Sequence, residues 1–242
     1  MLMIQQSFIF LEKVGRKKEQ KIFQQAKNWQ QFLNKDKIKG IATKKKFQYD
    51  RQIQEAQKSL KEEKPEYFVN RLPKKEMWRL YNYFKEDCCF LDIEVDSKGQ
   101  IIIVGISNDY STKTFVAGIN LDKNSIQKEL QKYKIIITFN GGAFDLPKLR
   151  KQLQLRLTQP HIDLKPLCVN LGLKGGLKEI ERILQLKRPQ NLQGSPVSLW
   201  KAFHASGDKE YLDLLIQYNN EDCENLRAII NKVYGELSKF YQ

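Results

Sequence analysis

Residues 88–95 read Cys-Cys-Phe-Leu-Asp-Ile-Glu-Val, an apolar run of strand length that carries two carboxylates. Successive side chains of a strand point to opposite faces, so Asp92 and Glu94 must share one face of any sheet this run joins. Two like charges on a mostly buried strand repel each other and lose hydration, which costs roughly several kcal/mol or raises their pKa values unless a cation neutralises them. A divalent metal ion meets that demand. A solvent-facing edge of the strand, with the pair simply exposed, is the plainer alternative, but Phe90, Ile93 and Val95 surround it with apolar groups.

Two further β-branched runs follow at residues 101–106 and 113–119, set off by the turn-like segments Asp-Ser-Lys-Gly and Asn-Asp-Tyr-Ser. Three consecutive antiparallel strands in hairpins are predicted. After them the pattern alternates. Residues 124–132 read as a helix, 134–139 as a buried strand, 147–153 as a helix and 161–164 as a short strand. The rest is helical, with breaks at 172–176 and 189–196 and a last long helix over about 209–237. The fold class is therefore α/β: a mixed sheet, three antiparallel strands then parallel strands, flanked by helices.

The first 85 residues differ in kind. They hold 21 basic against 9 acidic residues, a net +12, so that nearly all of the chain's formal +14 lies there. Apolar residues at Ile22, Phe23, Ala26, Trp29, Phe32 and Leu33 recur near a 3.6-residue period, and short helices are predicted over 8–33 with an interruption at Gly15. A polar helix over 44–61 ends before the Lys64-Pro65 step, and a third helical stretch follows Pro73 over 74–84. Two domains are expected: a basic, all-helical region at 1–85 and an α/β domain at 86–242. A polycation joined to a nearly neutral domain favours a polyanionic partner, nucleic acid above all, through counterion release. A solvated Lys-rich surface is the plainer alternative. The opening segment lacks a basic start and is split by Gln5, Gln6 and Ser7, so neither a signal peptide nor a spanning helix is expected, and the location is read as cytoplasmic with no membrane association. Cysteines at 88, 89, 168 and 223 form no C-x-x-C, and only His161 and His204 accompany them, so neither zinc nor a disulfide framework is expected.

Two more acidic elements stand out. The 134–139 strand runs into Asn140-Gly141-Gly142-Ala143-Phe144-Asp145. Glycines at a strand end let backbone approach a ligand, and Asp145 near a helix start sits beside the positive end of the helix dipole; it also reads as an ordinary N-cap. On the last predicted helix, Tyr218 and Asp222 are four apart and share a face. D-x-E also occurs at Asp208 and Asp222, so the triplet alone is weak evidence and its strand context separates Asp92.

In order, a strand D-x-E, an N-x-x-x-F-D about fifty residues on and a helical Y-x-x-x-D resemble the three exonuclease motifs of the DEDD superfamily, on the ribonuclease H-like fold. Detail is most similar to the YprB-type predicted exonucleases, through R-L-P-K-K-E-M-W-R-L-Y before the first strand, H-I-D-L at 161–164 and L-K-E-I-E-R at 177–182. At the N-terminus, K-V-G-R-K-K-E followed by N-W-Q-Q-F-L is similar to a helix-hairpin-helix-like element that binds nucleic acid backbones.

The resemblance implies a 3'-5' exonuclease acting on the 3' ends of single-stranded DNA or RNA with two Mg2+ or Mn2+ ions. Asp92, Glu94, Asp145 and Asp222 are then the metal ligands and Tyr218 orients the attacking water. Asn140 is a substrate contact, Phe144 packs, and Lys13, Gly15, Arg16, Lys17 and Lys18 form the N-terminal substrate contacts. His161 and Asp163 take structural hydrogen-bonding roles. Two departures mark this chain. Val95-Asp96-Ser97-Lys98-Gly99 follows D-I-E where small Thr and Gly residues are usual, which sets Asp96 near the phosphate path, and Lys13-Val14-Gly15 has one glycine where two are usual. The alternatives are a nucleic-acid-binding scaffold without catalysis and a structure-selective endonuclease on the same fold. No polymerase or helicase motif is present, so a proofreading or repair role calls for a replication or repair protein as partner.

Overall fold

Alternation along the β-branched runs builds a five-stranded mixed sheet in the order β3-β2-β1-β4-β5. Its strands are β1 (Cys88–Val95), β2 (Ile101–Ser107), β3 (Thr112–Val116), β4 (Ile135–Thr138) and β5 (His161–Asp163). The first three are antiparallel, and β4 and β5 join parallel to β1. The ribonuclease H-like architecture expected from the sequence is the one observed. β1 is central, and Asp92 and Glu94 on it are half-buried rather than simply exposed. The computed structural model describes residues 3–189 and 194–240, so part of the break expected at 189–196 lies outside the described residues.

This sheet belongs to the second of two compact units, Met1–Lys85 and Glu86–Gln242. One face, carrying Cys89, Leu91 and Ile93 of β1, packs on α4 (Lys123–Leu130) and α5 (Asp145–Leu153) through Ile126, Leu130, Leu146 and Leu149. The opposite face buries Ile102, Ile103 and Val116 against Leu199 of α8 (Pro196–Ser206) and Leu212 and Leu215 of α9 (Lys209–Lys239). Between β5 and α8 lie α6 (Leu164–Asn170) and α7 (Leu177–Ile183). Boundaries shift where side chains take over backbone partners. β3 stops at Val116, whose N–H donates to Asn120 Oδ1 at 2.6 Å, and α5 begins at Asp145 rather than Pro147.

The first unit is helical, with α1 (Arg16–Phe23), α2 (Trp29–Leu33) and α3 (Thr43–Lys61). Two expectations are corrected here. Residues 8–14 are turns, with Phe8, Ile9, Phe10, Leu11 and Val14 all buried. The N–H groups of Phe8 and Ile9 donate to Glu19 Oε1 at 2.8 and 3.0 Å instead of to a preceding helical turn. The helical stretch after Pro73 is a 3-10 helix, Lys74–Leu80, that stops short of residue 84. It delivers Glu76 and Arg79 to a buried ionic network. Arg79 donates to both Glu19 oxygens at 3.2 and 3.1 Å and to Glu76 Oε2 at 2.9 Å, while Arg16 holds Glu76 Oε1 at 2.8 Å.

Candidate functional site

β1 continues past the end of β4, since only Cys88, Cys89 and Phe90 pair with the parallel strand. Asp92 and Glu94 therefore lie beyond the carboxyl end of the parallel pair, where open α/β sheets place their ligands. The even positions of β1 face α9. A register shift between Glu94 and Val95 bends the strand just there, as bulges beside functional sites do.

From α9 come Tyr218, Asn219 and Asp222, at 8%, 0% and 7% exposure. Oxygens of Asp92, Glu94 and Asp222 lie within 4.8 Å of one another. Asp145 is buried at the first position of α5, and its Oδ1 accepts the Ile93 N–H of β1 at 3.2 Å. It is thus tied to the strand that carries the other two carboxylates and is no mere N-cap; Phe144 occupies the cap position. A set of hard carboxylate oxygens so close together fits Mg2+ or Mn2+ and is a poor match for soft metals.

Electrostatics point the same way. Burial holds the Asp92 carboxyl well above the usual range, Asp145 and Glu94 push it further, and an Asn219 hydrogen bond opposes them. Glu94 is pushed up to about 7, first by burial and then by Asp145, with Lys178 and Arg188 pulling it down. Asp145 is also pushed up to about 7 by burial, against the backbone N–H groups of Asp145 and Ile93, with Asp163 adding to the rise. Unfolded carboxylates titrate near pH 4, so the metal-free folded state keeps protons that the unfolded chain has lost. That contribution to stability is complete below about pH 4 and is lost as pH rises through about 7. A divalent cation competes with the same protons, so the rise in melting temperature caused by Mn2+ should be larger at pH 8 than at pH 5.5. Paired thermal melts check this, and equal increments at the two pH values would exclude these carboxylates as the ligands.

Asn219 was not singled out by the sequence patterns. Its Nδ2 donates to Asp92 Oδ2 at 2.8 Å, and its Oδ1 is buried with no partner among the described residues. The contact depends on Gly105, which pairs with Asp92 across β1 and β2. A Cβ at that glycine would stand 2.0 Å from Asn219 Oδ1 and 2.8 Å from Cys223 Sγ. A lone glycine inside Ile-Ile-Ile-Val-Gly-Ile was the available signal, since strand glycines mark close approaches. Partners of ligands typically change metal affinity about 10–100-fold when removed. Asn219→Leu should accordingly weaken Mn2+ binding about tenfold or more with the fold retained, a result calorimetric titration reads directly.

The turn after β4 is held in shape by Asp163 and Thr138. Asn140 takes φ +66°, and its N–H donates to Asp163 Oδ1 at 2.7 Å; Gly142 N–H donates to Asp163 Oδ2 at 3.0 Å. A Cβ on Gly141 would meet Thr138 Oγ1 at 2.2 Å. Asp163 also accepts the Lys165 N–H at 3.2 Å at the start of α6, and His161 Nε2 lies 2.8 Å from Thr138 Oγ1. Phe144 is exposed rather than packed, with Lys148 Nζ 5.0 Å from its ring centre. Asp96 caps its own turn, accepting Lys98 and Gln100 N–H groups at 2.8 Å each, so its charge is directed into the loop backbone.

In the first unit, Lys13 has the left-handed backbone, φ +59°, while Gly15 is extended and caps α1 without crowding. Lys13 and Gly15 line a cavity of about 610 Å³ with Phe10, Gln52, Asn70 and Arg71. Lys17 is exposed, whereas Arg16 is engaged by Glu76 and Lys18 donates to Tyr49 Oη at 3.0 Å.

A mixed sheet with clustered carboxylates at the carboxyl ends of its parallel strands has the form of a nuclease-type hydrolase. The family model RNase_H_2, described as RNase_H superfamily, matches residues 89–234, and the chain belongs to that superfamily. No curated protein matches it. Membership supports nuclease-type activity on a nucleic-acid substrate with divalent metals. Among the described residues, no helix is long and apolar enough to cross a membrane.

Proposed function

We propose that the chain is a metal-dependent 3'-5' exonuclease of the DEDD type, closest to the YprB-type enzymes, that hydrolyses single-stranded nucleic acid from its 3' end. The observation that carries this reading is the convergence of Asp92, Glu94 and Asp222 within 4.8 Å, with Asp145 tied to the same strand and Tyr218 one helical turn before Asp222. Asp92, Glu94, Asp145 and Asp222 hold two Mg2+ or Mn2+ ions. Such ions, when bound, supply Lewis acidity for an in-line displacement at phosphorus. Tyr218 orients the attacking water, Asn219 fixes the rotamer of Asp92, and Asp163 holds the Asn140 turn so that Asp145 stays in place. Asn140 contacts the substrate. The basic unit at 1–85, with Lys13, Gly15 and Lys17 at its hairpin, adds sequence-independent attraction for phosphates; Arg16 and Lys18 contribute charge to it.

Linear and circular single strands of DNA and RNA, the linear ones labelled at the 5' end, test this with Mn2+. A ladder shortening stepwise from the 3' end, with circles intact, is the expected result. Cleavage of circles would replace the exonuclease by an endonuclease, and binding without cleavage of either polymer would favour a scaffold.

A further inference from the structure

Arg188 follows α7, and its side chain reaches the carboxylate cluster. Its Nε and Nη2 donate to Glu181 Oε2 and Oε1 at 2.6 and 3.1 Å, and Nη2 also contacts Asp222 Oδ1. Glu181 is 2% exposed and takes a further hydrogen bond from Asn225 Nδ2 at 3.1 Å, so the guanidinium is gripped from behind by a group that is itself fixed. What remains is Nη1, buried and without a hydrogen-bond partner among the described residues. Its two N–H groups are half of a planar fork shaped for the oxygens of a phosphate. The guanidinium carbon lies 5.3 Å from the Tyr218 ring centre, and Lys178 Nζ lies 4.5 Å from the same ring. Two cations therefore lie near the tyrosine ring, beside the cluster of Asp92, Glu94 and Asp222.

Ion pairs with Glu181 and Asp222 account for Nε and Nη2 and for a cation in an acidic site. They do not account for Nη1, since a buried donor left unpaired normally costs stability. A ligand with acceptor oxygens and negative charge, entering between the carboxylates and these cations, completes the set.

We propose that Arg188, positioned by Glu181 and assisted by Lys178, is a phosphate ligand of this site: Nη1 donates to a non-bridging oxygen of the scissile phosphodiester and offsets the charge that builds on it. The inference rests on the hydrolase reading above and adds a substrate-binding group that the acidic motifs do not contain.

Two measurements test it. With saturating Mn2+, Arg188→Lys keeps the charge but loses the fork, and kcat should fall about 100-fold, as when one preorganised donor to a developing oxyanion is removed. Its Mn2+ affinity should stay within about threefold of wild type, and Glu181→Gln should give a smaller fall in kcat of the same kind. Turnover by Arg188→Lys within about threefold of wild type, or tighter Mn2+ binding with faster turnover, would overturn the proposal and leave Arg188 as a counter-ion of Asp222.

The second measurement does not depend on hydrolysis. In an Asp222→Asn background, the salt dependence of binding to a labelled single-stranded oligonucleotide is compared with and without Arg188→Gln. Losing one phosphate contact should reduce the slope of log Kd against log salt by about 0.7, and an unchanged slope would overturn the proposal. If the slope changes while wild type hydrolyses nothing with Mn2+, the phosphate contact stands and the hydrolase reading falls.

Discussion

Asp92→Asn is expected to reduce hydrolysis by about a thousandfold or more while leaving the metal-free fold at least as stable as wild type at pH 8. The two effects have one cause. Asp92 sits on the central strand with its carboxyl held well above the usual range by burial and by Asp145 and Glu94. Asn keeps the shape and can still accept the Asn219 amide through its own oxygen, but it removes a charge that the surrounding groups disfavour. On the proposed function, a metal ligand is lost in the same change. About 4 kcal/mol of transition-state stabilisation corresponds to a thousandfold in rate. Measured kcat/KM on a labelled single strand, beside thermal melts without metal, gives both numbers. Activity within tenfold of wild type would remove Asp92 from the site, and a large loss of stability would make it a structural residue.

The second large effect lies in the first unit. Arg79 is 1% exposed and bridges Glu19 and Glu76, at 5% and 0%. Removing one partner of a buried ion pair leaves an uncompensated charge, at a cost of about 3–5 kcal/mol. Arg79→Met should destabilise this unit by that amount. Glu76 retains Arg16, while Glu19 retains the neutral donors Ser7, Phe8 and Ile9. The double variant Arg79→Met with Glu19→Gln should accordingly recover part of the loss. Denaturant titration followed by Trp29 and Trp78 fluorescence measures both, and a cost below about 1 kcal/mol for Arg79→Met would mean that the network is dispensable.

The parts of the fold and site that follow local rules were legible in the chain. Period-two alternation places Asp92 and Glu94 together, and four-residue spacing places Tyr218 above Asp222; neither needs knowledge of the rest of the molecule. The strands and the last helix follow for the same reason. Residues 8–14 follow no local rule, because Phe8 to Leu11 are apolar without a period and the partner that captures their backbone, Glu19, comes later in the chain. Arg188 and Glu181 meet Asp222 only through the packing of three separate segments, which no spacing rule encodes. Asn219 stood beside a recognised motif residue, yet its role depends on the space above Gly105 on another strand. The glycine turn after Thr138 is held by Thr138 and by Asp163, and Asp163 comes from a strand some twenty residues on, which the turn's own sequence does not reveal.

The central claim is that four carboxylates from β1, α5 and α9 form a centre for divalent cations. Calorimetric titration of the whole chain with Mn2+ at pH 8 tests it most directly. Two ions per chain for wild type, with at least one lost in both Asp92→Asn and Asp222→Asn, is the predicted result. No Mn2+ uptake by wild type, or uptake unchanged by either substitution, would contradict it.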